Sequence, residues 1–193
     1  MFEYIKGEIK EISPAHLIIE NNQIGYFINI SVNTYSQLSG QDNALVYIYE
    51  VIREDAHHLF GFFEKKEREI FLHLISVSGV GANTARVMLS SLAPAEIQNA
   101  ISTGNVNVLK SIKGIGAKTA ERIIVDLKDK VGKIPDGEQI IARIDNTIKD
   151  EALSALVMLG FPKAKVDKII NEILKQNKAL SVEELIKEAL KRI

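Results

Sequence analysis

The chain of 193 residues is 46% hydrophobic and 25% charged, a globular balance with enough apolar surface to fold, which excludes wholesale disorder. It contains no cysteine, so a disulfide framework, thiolate metal or iron–sulfur sites and a thiol nucleophile are excluded, and a reducing compartment fits. The net charge of −1 hides an uneven distribution: residues 1–63 hold 3 basic and 8 acidic side chains, residues 64–133 hold 11 and 7, and the remainder 10 and 10. A cationic middle beside an anionic start suits a protein that meets a polyanion with one part and repels it with another, although scattered solvated charge gives the same totals.

The segment Met1 to Ile12 carries Glu3, Glu8 and Glu11 and no continuous apolar stretch, and nowhere do about eighteen apolar residues run together. A soluble, cytoplasmic protein without membrane contact is expected. Runs rich in β-formers at 3–12, 16–20, 24–30, 45–52 and 58–63 are divided by Pro14, Asn21, Asn22 and Gly25. They predict five short strands closing into a small barrel of OB-like topology. Between the last two strands, Arg53-Glu54-Asp55-Ala56-His57 reads as the polar tip of a hairpin, where paired carboxylates are ordinarily just solvated. His57 and His58 point to opposite faces of a strand and no third ligand is suitably spaced, so no metal and no cofactor is expected. Tyr26, Tyr35, Tyr47 and Tyr49 are expected to pack rather than to stack on bases.

The middle of the chain contains a repeat. Ser76 to Arg86 aligns without a gap on Ser111 to Glu121, a shift of 35 residues, and serine, both glycines, alanine, threonine and alanine recur. Helix-compatible stretches flank each copy, at 67–75 and 82–92 and at 106–109 and 117–131, so the unit is helix, tight turn, helix. In the turns Gly79-Val80-Gly81 and Gly114-Ile115-Gly116, glycine permits positive φ and close approach of a ligand, while Val80 or Ile115 anchors the turn. The second glycine opens a helix whose first amides lack partners, an arrangement suited to an anion. Lys118 and Arg122 share one helix face, and Thr119 adds a hydroxyl. The spacing before Gly116-Ala117-Lys118-Thr119 is wrong for a nucleotide P-loop, and the third glycine of a dinucleotide fingerprint is missing.

Taken with the Arg53-Glu54-Asp55 tip and with Leu59-Phe60-Gly61-Phe62, these tandem helix–hairpin–helix motifs resemble the RuvA family, and the resemblance runs almost end to end. It implies an α+β multidomain chain: an OB-fold barrel at 1–63, a tandem helix–hairpin–helix domain at 64–133, a flexible linker at 134–147 and a UBA-like three-helix domain at 148–193. It further implies a non-catalytic homotetramer, one or two of them on an open four-way DNA junction. Gly79, Gly81, Gly114, Gly116, Lys118, Thr119 and Arg122 would contact the duplex backbone, and Glu54 and Asp55 would form an acidic pin at the crossover. Asn83 stands where a basic residue is usual, and Arg86 is the expected compensation. The implied partners are the RuvB hexameric ATPase, docked on the last domain, and the RuvC resolvase, in recombination, repair and the SOS response to DNA damage.

The tail supports that division only in outline. Lys133 to Glu138 holds turn formers, and helical patterns follow at 150–159, 162–174 and 181–193, with Ser181 as N-cap before Glu183 and Glu184. The rival class is a helix–hairpin–helix repair enzyme, glycosylase or nuclease, which needs a base pocket or a metal-binding carboxylate cluster. Asp126 and Asp129 are the nearest candidates and are expected instead to pair with Lys128 and Lys130 on a helix surface. A scaffold without any nucleic-acid role is the third class.

Overall fold

A computed structural model describes residues 2–131, 144–176 and 180–192. The chain divides into two compact units, one up to Ile134 and one from Pro135.

The first unit begins with five strands, β1 (Tyr4–Ile12), β2 (His16–Asn21), β3 (Ile24–Ile30), β4 (Asn43–Ile52) and β5 (His57–Phe62), closed in the order β1-β2-β3-β5-β4. All neighbours are antiparallel except β3 and β5, and a short helix, α1 (Val32–Leu38), crosses between β3 and β4. Alternation drives the closure. Leu17 and Ile19 on β2, Ile28 and Ile30 on β3, and Val46 and Ile48 on β4 point inward and are buried, as a period of two requires.

Strand β5 breaks the alternation because it serves two cores. Leu59 joins the barrel interior, whereas Phe60 and Phe62 face the helices and meet Phe71, their rings centred 5.5 and 4.9 Å from its own. The helices are α2 (Lys65–Ile75), α3 (Ala82–Ser91), α4 (Pro94–Ser102), α5 (Val106–Lys110) and α6 (Ala117–Val131). On α2 the residues Glu67, Ile70, Phe71 and Leu74 are buried, a stripe of helical spacing that wraps onto the barrel. Each such large apolar side chain contributes about 1.5–3 kcal/mol by leaving water.

Polar contacts fix the angle between barrel and helices. Glu67 is fully buried and accepts hydrogen bonds from the Ser31 hydroxyl at 2.5 Å and the Thr34 hydroxyl at 2.7 Å. Thr34 in turn accepts from the Phe63 amide, and Ser31 from the Thr34 amide, so both hydroxyl protons are committed to the carboxylate. Burial pushes the Glu67 carboxyl up from its usual range, and these hydroxyls pull it back. Arg68 performs a similar task on the other side, donating to the Glu3 and Ile48 carbonyls and pairing with the Glu3 carboxylate at 2.6 Å.

The expected strands are all present, within two residues at each end. Tyr49 packs in the helical core and Tyr26 and Tyr35 against the barrel core, while Tyr47 lies under Lys65 and Arg68, each 5.5 Å from its ring. Helices α1 and α4 are additional to the elements the sequence pattern predicts. The second unit has α7 (Ile144–Met158), α8 (Lys163–Gln176) and α9 (Val182–Arg192) around a core of Ala152, Leu156, Val166, Ile170, Ile173, Leu185 and Ala189. Ser181 and Glu184 cap α9 reciprocally, as their spacing anticipates. The expected linker at 134–147 lies outside the described residues up to 143, and its last residues belong to α7. Among the described residues no helix is long and apolar enough to cross a membrane.

Candidate nucleic-acid interface

The repeat seen in the sequence is a repeat of backbone hydrogen bonds. In the first hairpin the amides of Val77, Val80 and Ala85 donate to the carbonyls of Leu74, Val77 and Gly81, at 3.1, 3.0 and 2.9 Å. In the second, Ile112, Ile115 and Ala120 donate to Leu109, Ile112 and Gly116, at 3.2, 3.1 and 2.9 Å. Each turn is pinned to the core by its aliphatic residues, Val77 and Val80 or Ile112 and Ile115, all at most 5% exposed.

The four glycines have two different reasons. Gly79 has φ of 92° and Gly114 of 91°, a left-handed conformation that costs any other L-residue about 1–2 kcal/mol. Gly81 has φ of −86° and ψ of 167°, which any residue adopts, and Gly116 likewise is outside the left-handed region. A Cβ at Gly81 or Gly116 would meet nothing within 4 Å. The fold therefore does not require glycine at these two places, and their main chain is left open to approach from outside. Gly81 offers no side chain to cap α3, so the amides of the first turn face outward with the positive end of the helix.

Around these elbows Lys118 and Arg122 are exposed on α6, Thr119 is partly exposed in its first turn, and Asn83 is exposed at the start of α3. Arg122 also joins the two copies, its guanidinium donating to the Ser78 carbonyl of the first turn at 3.2 Å. Arg86, three residues beyond Asn83, makes a contact that its spacing does not reveal. It donates to the Ala15 carbonyl at 2.8 Å and reaches Asn29 Oδ1 at 3.4 Å, tying α3 to the barrel, and this burial pushes its guanidinium down from the usual range.

Glu54 and Asp55 stand exposed at the tip of the β4–β5 hairpin, which is closed by the Arg53 amide donating to Ala56 O at 2.8 Å. Beside the tip, His57 Nε2 is 3.0 Å from Glu50 Oε1, a contact that sequence spacing did not reveal. Asp126 and Asp129 are exposed on α6 and, contrary to expectation, make no ion pair with Lys128 or Lys130 among the described residues; short carboxylates in water gain little from such pairing. Among the described residues no cluster of three or more His, Cys, Asp or Glu side chains could hold a metal.

Three family models match the chain: the RuvA N-terminal domain over residues 1–61, a SAM-like tandem helix-hairpin-helix over 71–129 and the RuvA C-terminal domain over 147–193. Proteins described as Holliday junction branch migration complex subunit RuvA are similar over their whole length. The one from Bacteroides thetaiotaomicron is 51% identical, covering 100% of both chains. That from Bacteroides fragilis is 52% identical with the same coverage, and that from Christiangramia forsetii 48%. With about half of all positions identical over the full length and the two end domains matched separately, the chain belongs to the RuvA family.

Proposed function

We propose that the chain binds four-way junction DNA by shape rather than sequence, holds it open and places the RuvB ATPase motor on it for branch migration in recombination and repair. It is a DNA-binding subunit without catalytic activity of its own, the hydrolysis of ATP belonging to RuvB. The observation that carries this reading is the duplicated elbow with its two glycines, Gly81 and Gly116, that the fold leaves uncovered. Backbone amides there, with Gly79, Gly114, Lys118, Thr119, Arg122 and the polar Asn83, hold phosphates and read no bases. Arg86 contributes mainly by orienting α3.

Selectivity for the junction comes from the pin. In a homotetramer, Glu54 and Asp55 from each subunit gather at the crossover, where phosphates crowd, and repel a continuous duplex from that point. The domain division at 63, at 133 and at 147 assigns the barrel to the pin, the hairpins to the arms and the last three helices to RuvB. The open junction is then accessible to the RuvC resolvase, and one tetramer or a facing pair covers it. This work takes place in the cytoplasm, with the chromosome.

A native gel comparing a four-way junction with a linear duplex of equal length tests the reading. A retarded junction band at concentrations that leave the duplex free is expected, and equal retardation of both would overturn the shape preference.

A further inference from the structure

The two elbows are not electrically equivalent. Carrying the shift of 35 residues through the flanking helices, Lys110, Lys113, Lys118 and Arg122 of the second copy stand where the first has Ile75, Ser78, Asn83 and Val87. All four cations are exposed. Lys110, Lys113 and Lys118 have no ion pair and no side-chain hydrogen bond among the described residues, whereas Lys10 lies 2.7 Å from Glu8 and Lys149 lies 2.9 Å from Asp167. Lys110 sits in the last turn of α5, where a cation complements the carbonyl end of a helix. That explanation is weak for a helix of five residues, and it does not reach Lys113, which lies outside any helix directly before Gly114.

The first elbow has no comparable set. Arg86 is directed to the barrel, and the cation against its turn is Arg122, contributed by the second copy. We propose that Lys110 and Lys113 are further phosphate-contacting residues, so that the second hairpin is the electrostatic grip on the DNA backbone while the first holds its phosphate through main-chain amides and the Ser78 hydroxyl. This rests on the junction-binding reading above. Each lysine that neutralises a phosphate releases condensed counterions, so salt sensitivity belongs to the second hairpin.

The test is fluorescence anisotropy of the full-length protein with a labelled four-way junction over a series of KCl concentrations, thermal unfolding being checked for each variant. For K110Q/K113Q the slope of log affinity against log salt should flatten by about one for each lysine removed per bound subunit, with the unfolding midpoint unchanged. For S78K/N83K, which gives the first elbow the charges of the second, the slope should steepen by a similar amount. An unaltered slope in K110Q/K113Q, or in S78K/N83K, would overturn the unequal-grip assignment while the junction reading stands. Failure of the wild-type protein to bind the junction at low salt would instead overturn that reading.

Discussion

The first and second hairpins have one skeleton and two rims. Equivalent residues form their turn hydrogen bonds, their aliphatic anchors are equally buried, and Gly79 and Gly114 differ in φ by a single degree. At the rim one copy carries Ser78, Asn83 and Val87, the other Lys113, Lys118 and Arg122. Positions that pack are held to one solution by the core, while exposed positions diverge at almost no cost in stability and so are free to acquire separate tasks.

Truncating the anchors should have the largest effect. Ile115→Ala is expected to lower stability by about 2–5 kcal/mol and Val80→Ala by about 1–3, because fewer methyl groups leave the core. Denaturant unfolding measures both, and a loss below about 0.5 kcal/mol at either position would show that its turn is not held by the core. Gly79→Ala and Gly114→Ala should each cost about 1–2 kcal/mol. Their losses should match, since the backbone is the same, and clearly unequal values would break the equivalence of the skeletons.

Gly81→Ala and Gly116→Ala should shift stability by less than about 0.5 kcal/mol, yet weaken binding to junction and duplex arms alike. Retained affinity would remove the ligand's claim on these two glycines. Glu54→Gln combined with Asp55→Asn should leave unfolding unchanged and raise duplex binding relative to junction binding, measured by competition; a fixed ratio would remove the repulsive pin. That variant also sharpens the contrast between hairpins, because neither elbow's own affinity for a duplex arm should change with it.

Much of this was legible along the chain. Period-two runs mark the barrel strands, and the gapless recurrence around Gly79 and Gly114 marks the paired elbows. Helix α1 escaped because seven residues including Val32 and Thr34 have little intrinsic helical preference. It is stabilised by the Ser31 cap and by Glu67, separated from Ser31 by 36 positions. Helix α4 does carry a start signal in the sequence, Pro94 at its first position with Glu96 accepting from the Ala93 amide.

Arg86 shows the limit most clearly. Its spacing places it three residues beyond Asn83 on the same helix, and only the packing of α3 against the barrel brings it to the Ala15 carbonyl, 71 positions away in sequence. Local order marked the barrel strands, the elbows and most of the helices, because periodicity and glycine chemistry act between near neighbours. Tertiary structure decided the rest: which strand would serve two cores, which guanidinium would brace the barrel and which would bridge the elbows. Those choices depend on groups that meet only when distant parts of the chain pack together, and no pattern of spacing records them.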